Sequence, residues 1–345
     1  MSSTLKVAVI GAGSLGKEHV RIYSELAADG RIELTGVFDA DAATARKVAE
    51  RHGARVFGSL AEAAAASDAL SIVTPTTTHF EVARELLRLG KHLLVEKPMT
   101  DNSEQAAELV QLARERKCVL QVGHIERFNP VFRYLETVAV DPKFIETHRL
   151  SKFPARSTDI GVVLDLMIHD LDVVLAFVKS PIVSVDAVGI PVLSKSEDIA
   201  NARIRFASGC VANLTASRVS PEKMRKIRVF SGGPSPSYVS LDYHAQEGKI
   251  YRVARDSEHE SSLLAKLFAS RDSTVVSEFA GKRVVREPVP IDKAEPLRVE
   301  LQSFVECVRA RQTPVVSGES ARLALDLAFE ITRQIQAANP TAGPL

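Results

Sequence analysis

The chain has 345 residues, 45% hydrophobic and 25% charged, a composition that suits a globular protein of about two domains, each able to bury its own core. Lys and Arg total 44 against 43 for Asp and Glu, a net charge of +1, so the balance requires neither a nucleic acid nor an anionic membrane as partner. No apolar run approaches the roughly 20 residues that span a bilayer. Met1-Ser2-Ser3-Thr4-Leu5-Lys6 leads straight into a strand-like run and lacks the layout of a signal peptide. Cys118, Cys210 and Cys307 are far apart, odd in number and set among apolar residues. They read as buried thiols in a reducing cytoplasm, not as a disulfide framework or a metal cluster.

In chain order, Leu5–Ile10 reads as a buried strand, 14–26 as a helix, 32–38 as a strand and 41–51 as a helix. Buried strands follow at 69–73 and 92–95, separated by a helix over 80–89. A helix over 101–116, capped by Asp101 or Asn102, precedes a strand at 119–122. Strands alternating with helices imply βαβ units and a parallel sheet, so residues 1–124 are expected to form a doubly wound Rossmann domain. The pattern then changes. A helix over 126–138, a strand over 144–150 and a helix over 161–178 lead into extended runs at 182–193, 199–206, 210–219, 227–230, 238–243 and 250–253. Ala207-Ser208-Gly209 separates two of these runs as a hairpin turn would. Adjacent strands without intervening helices predict a large, mostly antiparallel open sheet, so 125–345 is expected to form a separate α+β domain for substrate binding and oligomerisation. The polar stretch 256–282 fits no element, and helices over 297–310 and 320–335 close the chain.

The first strand runs into Gly11-Ala12-Gly13-Ser14-Leu15-Gly16, a G-x-G-x-x-G between strand and helix. Gly11 allows the tight turn, Gly13 the approach of a pyrophosphate, and Gly16 close helix–strand packing, while the helix start offers free N–H groups to phosphates. Asp39, 23 residues after Gly16, ends the second strand. A carboxylate there accepts from both ribose hydroxyls and repels a 2′-phosphate, and no arginine follows it, which predicts NAD over NADP. The competing reading of Asp39 is a cap for the next helix.

Two further patterns carry chemistry. Glu96-Lys97-Pro98 follows a strand at the carboxyl edge, where open α/β sheets bind ligands. Asp165 and His169, four apart on a helix, share a face. Oxidising a sugar hydroxyl needs a base for its proton and a cation for the developing alkoxide; histidine suits the first role, lysine the second, and Asp165 can orient the histidine.

With these pieces, together with His19 and Thr74-Pro75-Thr76-Thr77-Thr78-His79, the chain resembles the glucose–fructose oxidoreductase / inositol dehydrogenase / MocA family over nearly its full length. The resemblance implies Lys97, Asp165 and His169 as the catalytic set. It places Thr74, Pro75, Thr76, His79, Glu96 and Lys97 with the cofactor beside Gly11, Gly13, Ser14, Leu15, Gly16 and Asp39, although Thr76 stands where the family often has asparagine. Gly123-His124-Ile125-Glu126-Arg127-Phe128-Asn129-Pro130, the stretch 163–170 and Asp198-Ile199-Ala200-Asn201-Ala202-Arg203 resemble the branch that includes UDP-N-acetylglucosamine 3-dehydrogenases. Members of that branch feed an aminotransferase in the synthesis of diamino-sugar lipid A. Candidate substrate contacts are Lys97, His124, Arg127, Asn129, Arg156, Asp165 and His169. Arg203, Arg205, Arg218, Lys223, Arg225, Lys226 and Arg228, with Glu222 as the one acid among them, form either a diphosphate site or a solvated strand face. The family's use of its open sheet implies a homodimer or homotetramer. The alternatives are dehydrogenation of inositol or a free sugar, a non-catalytic NAD-binding sensor, and an NAD-dependent glycoside hydrolase.

Overall fold

The computed structural model describes residues 4–153, 160–233, 236–254, 274–279 and 282–338. The chain divides into two compact units, Met1–Phe128 with Glu295–Phe329, and Asn129–Ala294 with Glu330–Leu345.

The first unit alternates β1 (Lys6–Ile10), α1 (Gly16–Ala28), β2 (Glu33–Phe38), α2 (Ala42–His52), α3 (Leu60–Ala66), β3 (Ala69–Ile72), α4 (Thr76–Arg88), β4 (His92–Glu96), α5 (Ser103–Arg116) and β5 (Leu120–Gly123). All strand pairs are parallel, in the order β2-β1-β3-β4-β5. Strands buried on both faces need no alternation, which is why β1, β3 and β4 are near-continuous apolar runs. The chain reverses its direction of travel across the sheet at β1, so the switch point where doubly wound folds bind ligands lies between the carboxyl ends of β1 and β3. Asn102, not Asp101, caps α5 by accepting from the Gln105 amide. Helix α3 escapes the periodicity because its alanines carry little hydrophobic contrast. Its start is nevertheless written in Ser59 and Glu62, the Ser59 side chain accepting from the Glu62 amide.

Residues 295–329 group with the first compact unit. Helix α8 (Pro296–Ala310) places Leu297, Leu301, Phe304, Val305 and Val308 in one core with Val7, Val9, Leu94 and Val119. Those spacings form a single helical stripe, and the Rossmann strands provide the apolar surface that covers it.

The second unit contains α6 (Pro130–Val138), β6 (Pro142–Leu150), α7 (Ile168–Val178) and β7 to β14 at Ile182–Ile190, Ile199–Phe206, Val211–Ser217, Met224–Ser231, Ser237–Asp242, Glu247–Val253, Thr274–Phe279 and Lys282–Pro288. These form one sheet of nine strands, ordered β13-β14-β12-β11-β10-β6-β9-β8-β7, and every pairing is antiparallel except β6 with β9. The fold is therefore a Rossmann unit plus an α+β unit with a mostly antiparallel open sheet. Gly209, at a φ of 81°, turns the β8–β9 hairpin at 207–209. In β8, Ala200, Ala202, Ile204 and Phe206 are buried while Arg203 and Arg205 are exposed, the two-residue period of a sheet with one face on a core. The unplaced stretch 256–282 contains β13, and β14 continues past it.

Two expected helices are divided. The helix over 126–138 is a 3₁₀ turn, Ile125–Phe128, followed by α6, because Pro130 lacks an N–H and starts the helix under an Asn129 cap. The helix over 161–178 opens as one π turn, Val163–Met167, before α7. The last helix, α9 (Gly318–Ala338), crosses the division at Phe329.

Candidate active site

The glycine-rich loop links β1 to α1. A Cβ on Gly11, whose φ is 98°, would lie 2.5 Å from the Val73 carbonyl oxygen, and one on Gly16 would lie 2.0 Å from the Gly11 carbonyl oxygen. A Cβ on Gly13 would meet nothing within 4 Å. Gly11 and Gly16 are thus required by the fold itself, whereas Gly13, Ser14 and Leu15 are exposed beside open space. No side chain caps α1; the Lys17 and Glu18 amides donate to the Gly13 and Leu15 carbonyl oxygens, and the positive end of the helix dipole beside the exposed loop suits a phosphate. Asp39, at the end of β2, accepts from the Ala12 amide at 2.6 Å and the Asp41 amide at 2.8 Å. The cap of α2 is Asp41, which accepts from the Ala43 amide. A carboxylate keeps further lone pairs for ribose hydroxyls. These residues fit a dinucleotide.

At the carboxyl edge, Lys97 is the one half-exposed residue in the buried segment 92–100. Its neighbours hold it from two directions. Glu96, 8% exposed, receives His19 Nε2 at 3.1 Å and the Lys97 amide at 3.3 Å. A Cβ on Gly123 would come within 2.6 Å of this carboxylate, so glycine there admits it. His79 is buried, with Nδ1 2.8 Å from the Pro98 carbonyl oxygen and Nε2 2.8 Å from the Thr74 carbonyl oxygen. Burial pushes its pKa down, and a neutral ring donates to one of the two oxygens. The ring joins the Thr74–Pro75 loop to the peptide after Lys97. Glu96 and His79 therefore support the site from beneath, while Thr74 and Thr76 are half-exposed and Pro75 is exposed in front of it.

In the second unit, the stretch 161–174 is buried except at Asp165, Leu166 and His169. The π turn carries Asp165 and the first turn of α7 carries His169, so a carboxylate and an imidazole emerge together from an otherwise buried segment. A π turn inside a helix is frequently found at functional sites. The segment is anchored at its N-terminal end. The Val162 amide donates to the Glu197 carbonyl oxygen, the Val163 amide to Glu197 Oε1, and Arg218 to the Ile160 carbonyl oxygen. A Cβ on Gly161 would lie 1.8 Å from Glu197 Oε1. Burial raises the Glu197 pKa. Arg218 and Asp198, both fully buried, form an ion pair at 2.8 Å. Burial by itself would raise the Asp198 pKa, but Ser194, the Leu193 and Val192 amides and Arg218 outweigh it and hold the carboxyl well below the usual range.

The other candidates distribute differently. Asn129 is 3% exposed; it caps α6 and donates to the Tyr243 carbonyl oxygen, which is a structural placement. His124 is 1% exposed, Arg127 is half-exposed and donates to the Val315 carbonyl oxygen, and Arg156 lies outside the described residues. The basic run does not form one anion site. Arg218 is interior, whereas Arg203 and Arg205 are on the outer sheet face with Arg228, which pairs with Glu146 at 2.9 Å. Glu197, Gly161 and the pair Arg149–Asp170 were not anticipated; the only local hint is Asp170, directly after His169.

A Rossmann unit with a dinucleotide loop, and a sheet unit presenting an acid–imidazole pair, define a nicotinamide-dependent oxidoreductase of two-unit architecture. Residues 5–124 match the oxidoreductase family described as an NAD-binding Rossmann fold, and 137–232 match the GFO/IDH/MocA C-terminal domain. The chain belongs to the GFO/IDH/MocA family and is an NAD-dependent oxidoreductase. It is 35% identical over 334 residues to the UDP-N-acetylglucosamine 3-dehydrogenase of Acidithiobacillus ferrooxidans, covering 96% of this chain and 98% of the relative. A solved structure of that enzyme superposes with a TM-score of 0.85 over 97% of this chain and 98% of the other. The scyllo-inositol 2-dehydrogenase (NAD(+)) of Bacillus subtilis is 26% identical over 288 residues, 79% of this chain and 77% of the relative.

Proposed function

We propose that the chain oxidises the 3-hydroxyl of UDP-N-acetylglucosamine to the 3-keto nucleotide sugar. The observation that carries this reading is the 35% identity to a UDP-N-acetylglucosamine 3-dehydrogenase across almost the whole of both chains. The glycine loop and Asp39 would hold NAD, which would supply the hydride acceptor for the sugar carbon. His169 takes the hydroxyl proton, Asp165 orients its ring, and the Lys97 ammonium steadies the negative charge that grows on the oxygen as the proton leaves. Asp39 favours NAD by repelling a 2′-phosphate. Oxidation of a secondary alcohol by NAD runs uphill at neutral pH, so the ketone needs a consuming step, and an aminotransferase that converts it to an amine is the expected next reaction. Free thiols at Cys118, Cys210 and Cys307 support a reducing, cytoplasmic setting, and no helix among the described residues is long and apolar enough to cross a membrane.

The outer face of the nine-stranded sheet supports a homodimer. Its register lines up Asp186, Arg203, Asn213, Glu146 and Arg228 in one row and Ile190, Ile199, Ser217, Leu150 and Met224 in another, both centred on β9. A two-fold axis along β9 sets Asp186 of one copy against Arg228 of the other, Arg203 against Glu146, Ile190 against Met224 and Ile199 against Leu150. Opposite charges meet in the first row and apolar side chains in the second.

The test of the reaction is NADH formation from NAD and UDP-N-acetylglucosamine with an aminotransferase and glutamate present to remove ketone. NADH growth that disappears with free N-acetylglucosamine and in Lys97→Ala is the expected result. Growth with inositol instead of the nucleotide sugar sinks the substrate assignment.

A further inference from the structure

We propose that the buried ion pair between Arg149 and Asp170 is a positioning pair that fixes the direction in which His169 presents its imidazole. The inference rests on the role for His169 given above.

Arg149 is on β6 and Asp170 is the residue after His169 in the first turn of α7. Arg149 Nε lies 3.1 Å from Asp170 Oδ2, and Nη2 lies 2.8 Å from Oδ1. The side chains are 4% and 5% exposed. Two parallel bonds between a planar guanidinium and a carboxylate fix an orientation as well as a distance. One partner belongs to the sheet and the other to the helix, so the fork sets the rotation of α7 about its own axis.

That rotation is the coordinate that matters for His169. A side chain reaches about 5–6 Å from the axis of its helix, so a turn of about 10° moves the ring by about 1 Å. A displacement of about 1 Å at a reacting group can lower the rate about 100-fold. The N-terminal end of the segment is tied through Glu197 to the backbone at Val162 and Val163, α7 itself is packed through Leu171, Val173 and Val174, and the fork adds the directional tie between helix and sheet beside His169. Stability alone does not account for the pair. Removing two charges from water costs about as much as their attraction returns, and well-packed apolar residues often replace buried pairs without loss of stability. What apolar contacts do not supply is direction.

The experiment compares wild type, Arg149→Met/Asp170→Leu and Asp170→Asn by melting temperature, by kcat and KM with the nucleotide sugar, and by the rate at which diethyl pyrocarbonate modifies His169, followed by mass spectrometry. The expected result for the double variant is a retained melting transition, a kcat lowered about 100-fold with KM changed less than about threefold, and a changed His169 modification rate. Asp170→Asn, which keeps one acceptor in place, is expected to recover part of the kcat. A folded double variant with wild-type kcat and an unchanged modification rate overturns the proposal. If the double variant does not fold, Asp170→Asn is judged by the same two readouts. If wild type does not oxidise the nucleotide sugar, that reading fails by itself, and an unchanged modification rate in a folded variant remains the result that overturns the pair.

Discussion

Lys97 is the one half-exposed residue in the otherwise buried segment 92–100, and its charge is delivered by main chain that Glu96 and His79 hold in place. In the proposed role the ammonium acts on charge that develops only as the proton leaves, so Lys97→Ala is expected to lower kcat about 10²–10³-fold while calorimetry finds NAD affinity nearly unchanged. The proposed role of Asp39 precedes the chemistry. Asp39→Ser removes the repulsion of a 2′-phosphate and the acceptor for the ribose, so NAD affinity should fall about tenfold or more while NADP binding improves; a titration with both dinucleotides checks this. Both candidates stand out in the sequence because each sits at a strand end beside a local motif. Arg149 does not, since its partner is 21 positions away and nothing in the periodicity of β6 marks an inward arginine. Asn129, a polar residue beside a motif, has a structural duty that its neighbours in sequence do reveal: it precedes Pro130 and caps α6.

At the scale of elements, β4 and β5 meet at His92, whose Nδ1 accepts from the Val119 amide at 2.8 Å. Burial, reinforced by Arg311, pushes the His92 pKa down to about 4, against about 6.5 in an unfolded chain. Between those values the unfolded state binds the extra proton, so the fold loses stability as pH falls from about 6.5 to about 4, by an amount of order 3 kcal/mol at most. His79, also shifted down by burial, acts in the same direction. Urea melts at several pH values should show this slope, and His92→Asn should flatten it. Helix α8 provides a second prediction. Phe304 is fully buried in the Rossmann core, so Phe304→Ala should cost about 3–5 kcal/mol, and a chain shortened to residues 1–124 should lack a cooperative melt by circular dichroism. Elements with a local signature, such as the strand–glycine–helix start or the cap before α5, were readable from sequence. The π turn was not, because it keeps the apolar pattern of a helix while shifting its hydrogen bonds by one residue.

At the scale of the molecule, the self-complementary sheet face predicts a particle of about twice the 37.5 kDa chain mass in light scattering at micromolar concentration, where dimers of standard interface size persist. Arg203→Glu places two acids opposite each other across the proposed axis and should yield monomer; adding Glu146→Arg should restore the dimer. A monomeric wild type would remove this proposal without touching the chemistry. The sequence by itself determined the two-part architecture and the NAD-binding class, because glycine conformations and strand–helix alternation are local constraints expressed within a few residues; the proposed set Lys97, Asp165 and His169 rests on strand-end position and i,i+4 spacing of the same local kind. Only the tertiary structure decided that 295–329 completes the first unit, that β6 pairs in parallel with β9, and that Arg149 and Arg218 find Asp170 and Asp198 in the interior. Those outcomes depend on which distant surfaces bury one another, and hydrophobic periodicity records that a face is buried without recording its partner.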